Sequence, residues 1–236
     1  MSILTGFIRR RSISLLLGTV TMLAMSAAVS VASTEQQQLV DKARLTVEAF
    51  AKDPQQQDVR EWLSKAKAVF VVPQLLRGAF VFGGTGGGGV LLVRDEASES
   101  GDWSEPAFYN IGAVSFGLQA GADTSELMVV VRTQKGLEEF YRSDFKLGAD
   151  VGVSIGPMGS SASMEGISAD LISFGRTKGA FMGMALNGAM IAVSDDANAA
   201  YYGKDVRPTE IVVKKSVVNP GSAELRRAMA EMTLGK

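Results

Sequence analysis

The stretch VFGGTGGGGV, residues 81–90, carries six glycines in a window of seven. As a pattern it contains Gly84-x-Gly86-x-x-Gly89, the spacing of a dinucleotide-binding loop. Such a loop needs its glycines between a strand and a helix, so that the helix N-terminus faces phosphate. Here the glycines run into VLLVRD, a strand-like segment, and no Lys-Ser or Lys-Thr follows as a P-loop requires. The local sequence predicts instead a strand, a glycine connection and a second strand, with GAFVF (78–82) facing GVLLVRD (89–95).

The pattern continues outward from this pair. AVFVVP reads as a strand stopped by Pro73. AFYNIGAVSFGLQAG (107–121) is a long strand broken by glycines, and ELMVVVRT is a buried one. QKGLEEFYRS reads as a short helix or turn, FKLGADVGVSIGP alternates in strand fashion, and TEIVVKKSV is a late strand. GAFMGMALNGAMIAVS (179–194) reads as a hairpin about Asn187-Gly188. It also lies without gaps over the segment from Gly78, an internal echo expected of a pseudo-symmetric sheet or barrel, or of coincidence. Helical spacing of Leu39, Ala43, Val47 and Phe50, behind a Thr34-x-x-Gln37 capping box, predicts an N-terminal helix ending near Asp53-Pro54. A second short helix carries Trp62, Leu63 and Ala66 on one face; DDANAAYYGK and GSAELRRAMAEM are two more. The expected fold is α+β: one domain with a curved, largely antiparallel, glycine-rich sheet, barrel-like or sandwich, flanked by N- and C-terminal helices.

Residues 1–32 read as an export signal, leaving 33–236 as the domain. Arg9, Arg10 and Arg11 form a positive start, an apolar run follows, and Ser30-Val31-Ala32 ends it as a small-x-small cleavage site. The alternative is an uncleaved anchor, which the serines and threonines of the run weaken. Export by Sec or Tat with cleavage after Ala32 places the expected mature protein in the periplasm, with membrane association left open. The segment holds three of the 24 basic residues and none of the 25 acidic ones, so the remainder carries net charge −4. That balance excludes a nucleic-acid binder.

The chain has no cysteine and no histidine. A disulfide, a thiolate nucleophile, a Cys/His zinc site and the usual general base near neutral pH are all excluded. Gly152-Val-Ser-Ile-Gly156 spells a nucleophile elbow, but Ser154 has no histidine to activate it. Ser143-x-x-Lys146 lacks the Lys-Thr-Gly element of the Ser/Lys hydrolases. Neither catalytic residues nor a metal or cofactor is expected. Arg176 and Lys178 lie two apart on a strand pattern and share a face, where they either hold an anionic head group or protect a sheet edge. Arg77 and Lys204 are the next candidate cations.

Taken in order, KAVFVVP, the Gly-Gly-x-Gly-Gly run at 83–87, LLVRDE before WSEPAF, SFGLQAG, FKLGADVGVSIGP, ISFGRTKGAFMGMALNGA and DDANAAYYGKDV resemble the SYLF domain, from about Leu39 to Met232. The resemblance implies a single α+β domain, no established enzymatic activity and binding of membrane lipids. It places the family's basic-x-basic-Gly element on Arg176, Lys178 and Gly179. Some fungal members bind actin and eukaryotic members often carry SH3 or FYVE domains, but no actin or SH3 partner is expected here. The expectation is therefore non-enzymatic binding of a membrane phospholipid or another anionic amphiphile in the cell envelope. The alternative is a structural or interaction protein of the envelope without a small-molecule ligand.

Overall fold

The computed structural model describes residues 35–52, 57–79, 82–95, 102–116, 121–156, 168–177, 180–182 and 186–234. The export signal, its cleavage site, Thr34, the Asp53-Pro54 helix end and Lys178 lie outside these residues.

Residues 35–52 are helical (α1), followed by α2 (Gln57–Ser64). Strands β1 (Ala68–Ala79), β2 (Phe82–Val93), β3 (Ala107–Phe116) and β4 (Gly121–Val131) come next. Then come α3 (Gln134–Glu139), β5 (Asp144–Lys146), β6 (Val153–Ile155), β7 (Leu171–Thr177), β8 (Ala180–Met182) and β9 (Met190–Val193). Helices α4 (Asp195–Tyr202), α5 (Pro208–Val212) and α6 (Ala223–Leu234) complete the order, with a 3-10 turn at Pro220–Ser222 before α6. The strands form one curled sheet in the order β5-β9-β3-β2-β1-β4-β7-β6, and β8 also pairs with β7. Every pairing is antiparallel except β6 on β7. The expected α+β class, with a curved sheet between terminal helices, is what the chain forms.

Both faces of the sheet are covered, which explains the unbroken apolar runs of β1 and β4. Val69, Val71, Met128, Val130 and Phe174 point to one layer, against Val47 and Phe50 of α1, Trp62 of α2 and Met229 of α6. Ala68, Phe70, Val72, Leu127 and Val129 point to the other, against Leu137 of α3, Phe145 of β5 and Ile211 of α5.

Four local expectations are corrected. The glycines do not connect two strands: they are the body of β2, paired from Phe82 to Leu91 with β3. Pro73 does not end β1; the register shifts between Val72 and Leu75, and the strand continues past this bulge. A proline costs one ladder hydrogen bond, and a bulge is where a strand sheds one. The 179–194 segment is no hairpin, because β8 pairs with β7 while β9 pairs with β3 and β5. The Asn187-Gly188 turn does form, with Gly188 at φ 86°. Finally, TEIVVKKSV supplies helix α5, not a strand. Pro208 opens it, and the Arg207 N–H donates to Glu210 Oε2 at 2.9 Å, which fixes the first turn.

Candidate functional site: a cleft at one end of the sheet

Where β1 begins and β2 ends, the two covering layers part and leave a cleft of about 500 Å³. The end of the sheet supplies Lys67, Val93 and Arg94. Beyond β2 the chain forms a short arm: Arg94 bridges Trp103, and the Asp95 N–H donates to the Asp102 carbonyl at 2.8 Å. A second wall comes from Leu137 and Tyr141, and a third from α5 and its continuation, Val212 to Val218.

The motif WSEPAF builds the wall nearest α6. Glu105 is only 6% exposed, and its oxygens are occupied. Oε1 accepts from Arg226 Nη1 at 3.0 Å; Oε2 accepts from Ser222 Oγ at 2.8 Å and from the Asn219 N–H at 3.3 Å. Arg226 Nε also donates to the Trp103 carbonyl at 2.8 Å. Further along, Asn198 bonds both the N–H and the carbonyl of Phe108, and Tyr202 Oη donates to the Pro106 carbonyl at 2.6 Å. The motif is thus a clamp that ties α4 and α6 to the sheet. Ser222 spends its hydroxyl on this carboxylate.

The remaining wall is unusually open to solvent. Val213 is 55% and Val218 75% exposed, although Val212 and Val217 beside them are buried. Lys215 between them has φ 51°, the only positive φ at a non-glycine residue among the described residues. Its Nζ pairs with Asp95 across the cleft. Trp103, 2% exposed, lines the cleft, and its Nε1 has no acceptor.

Among the described residues, the candidate cations Arg176, Arg77 and Lys204 do not converge. Arg176 Nη1 pairs with Glu126 Oε2 at 3.0 Å, its cross-strand neighbour in β4. Thr46 Oγ1 of α1 donates to the other Glu126 oxygen at 3.1 Å, so this pair fastens α1 to the sheet. Arg77 is exposed on the opposite face, two residues beyond the buried Leu75, whereas Arg176 follows Phe174 of the other layer. Lys204 lies off the sheet after α4, with Nζ 3.5 Å from the Ser216 carbonyl. Ser154 sits within β6, not on an elbow, and a side chain at Gly156 would strike the Phe174 ring. That contact accounts for the second glycine of the Gly-x-Ser-x-Gly pattern.

Sequence reasoning missed the cleft because TEIVVKKSV reads as a late strand. Pro208 was the signal: it has no N–H to give a sheet ladder, and proline is favoured in the first turn of a helix.

Residues 112–232, half of the chain, match the family model described as Ysc84, Las17-binding protein actin regulator. The chain belongs to this family, which is the SYLF family of the sequence resemblance. It is similar to Protein YSC84 of Saccharomyces cerevisiae, with 28% identity over 71% of this chain and 36% of that protein. It is 30% identical to LAS seventeen-binding protein 3 of the same yeast, over 60% of this chain and 31% of that one. With SH3 domain-containing YSC84-like protein 1 of Bos taurus it shares 26% identity over 69% and 47%. The chain thus spans between about a third and a half of these relatives' length.

These findings overturn two expectations. Phospholipid or amphiphile binding as the function is set aside, because the family is described as a Las17-binding protein and actin regulator and one relative is named a LAS seventeen-binding protein. The expectation of no actin or SH3 partner falls too, since that description names actin and other relatives are named SH3 domain-containing proteins. The interaction-protein alternative stands closer to what was found.

Proposed function

We propose that this chain is a protein-interaction domain that binds a partner without covalent chemistry. One observation carries the reading: the span matched to the Las17-binding family, 112–232, includes about half of the cleft wall, from Gln134, Leu137 and Tyr141 through Val212–Val218 to Arg226. The partner is a protein of the compartment the chain reaches, and actin and Las17, named for the family and a relative, serve as probes of that class. The buried carboxylate Glu105 serves the scaffold in this reading, since arginine, serine and backbone already occupy it. Export remains part of the proposal, resting on the charge and apolar pattern of residues 1–32.

The test is co-sedimentation of the folded chain with actin filaments, alongside retention on immobilised Las17. Saturable binding to at least one is expected. Binding to neither, with turnover of a small substrate abolished by one carboxylate substitution, would replace this reading with an enzyme.

A further inference from the structure

We infer that the cleft docks a short extended peptide segment of the partner, one in which a carboxylate sits between apolar side chains. This inference rests on the protein-binding reading and adds the recognition chemistry to it.

Shape limits the occupant. A strand fills about 4.8 by 10 Å in cross-section and advances about 3.3 Å per residue, so about 500 Å³ houses roughly three extended residues. An α-helix is about 10 Å across, and the same space admits only about one turn of it, too short to hold as a helix. The occupant is therefore an extended segment.

Apolar surface comes next. Val213 and Val218 stand exposed at the mouth, while Val93, Leu137, Val212 and Val217 make the floor. Burying two exposed valines under a ligand is favourable, and the chain itself leaves them uncovered. The loop that holds them carries the left-handed Lys215, a conformation that costs free energy at a side-chain-bearing residue and concentrates at functional sites.

Charge sets the polarity. Four cations line the cleft, Lys67, Arg94, Lys215 and Arg226, against three carboxylates, in a chain whose net charge is −1. Glu105 is buried in its clamp and holds Arg226 there, which leaves Lys67, Arg94 and Lys215 against Asp95 and Asp102. Asp95 holds Lys215, and an incoming carboxylate would compete for that same ammonium. The Lys215 ammonium thus favours a negatively charged ligand over a basic one.

The experiment titrates the full chain with a fluorescein-labelled peptide of alternating leucine and aspartate, and with a leucine–lysine control. Hydrogen exchange of the chain is followed with and without the first peptide. The acidic peptide is expected to bind at least tenfold tighter than the basic one and to slow exchange at residues 213–218. Val218→Asp should weaken it about tenfold, with unchanged melting because the side chain is exposed, and Lys215→Gln severalfold. Equal affinity for the two peptides, no binding of the acidic one, or protection confined to residues outside the cleft overturns the inference. Binding to actin or Las17 by a chain that ignores the acidic peptide would sink the cleft proposal and leave the protein-binding reading standing.

Discussion

Gly89 lies directly beneath Phe70. A β-carbon at Gly89 would fall 2.6 Å from Phe70 Cε2 and 2.7 Å from the Val71 carbonyl oxygen. The space is used by an aromatic cluster: Phe70 meets Tyr109 edge-on at 6.0 Å, and both rings meet Phe140. Gly89 is also the ladder partner of Tyr109. The glycine is therefore set by packing, not by phosphate.

Gly89→Ala is expected to cost about 1–3 kcal/mol, the usual range for overpacking a filled core. Gly87→Ala should fall in the same range, since its β-carbon would meet the Gln74 carbonyl oxygen at 2.4 Å. Gly86→Ala should change stability by less than about 0.5 kcal/mol, because the nearest atom stands at 3.7 Å. Urea unfolding of the three variants checks the ranking. Equal losses at Gly86 and Gly89 would contradict it.

The contrast shows what the sequence could disclose. Apolar runs and glycine content predict a curved, antiparallel sheet because each strand is locally self-consistent. They do not say which neighbour a strand takes, so 179–194 reads as a hairpin although Met190 to Val193 pair with β3 and β5. Pairing of that kind depends on chain closure far along the sequence. The candidate site was less legible still. Arg176 shows the right charge at the right spacing, but its partner Glu126 is 50 residues away. The cleft is made from segments between Lys67 and Arg226 that share no local pattern.

Arg176 and Glu126 are half-buried and tied to Thr46, so they should be coupled. A double-mutant cycle with Arg176→Gln and Glu126→Gln is expected to give about 0.5–1 kcal/mol. Arg77→Gln on the opposite face should be neutral within about 0.5 kcal/mol. Zero coupling would return Arg176 to service as a free cation.

Glu105→Ala is expected to cost about 2–3 kcal/mol, because it leaves Ser222 and the Asn219 N–H without their acceptor and Arg226 without its partner. Arg226→Ala should cost at least as much, because it leaves the buried Glu105 carboxylate without its cation. Thermal melting measures both, and a negligible loss at Arg226 would contradict the clamp.

All four tyrosines have phenol pKa values raised above 10, with burial the largest cause in each; for Tyr201 and Tyr202 the Glu105 charge adds to it. The folded chain therefore keeps protons that the unfolded chain releases near pH 10. Their contribution to stability is fully present below pH 10 and is lost as pH rises past it toward the raised folded values. Tyrosinate absorbance from Tyr109, Tyr201 and Tyr202 should appear only in step with unfolding on alkaline titration, while the half-buried Tyr141 can ionise earlier. Titration of more than one tyrosine near pH 10 in a chain that keeps its folded circular dichroism would contradict this.

The central claim is that the chain binds a protein. Calorimetric titration of the folded chain with Las17, with anionic vesicles as the comparison, tests it most directly. The account predicts saturable binding of the protein, weakened about tenfold by Val218→Asp, and no comparable affinity for the vesicles. Saturable binding to the vesicles with no heat from Las17, and none from actin in the same assay, would contradict it.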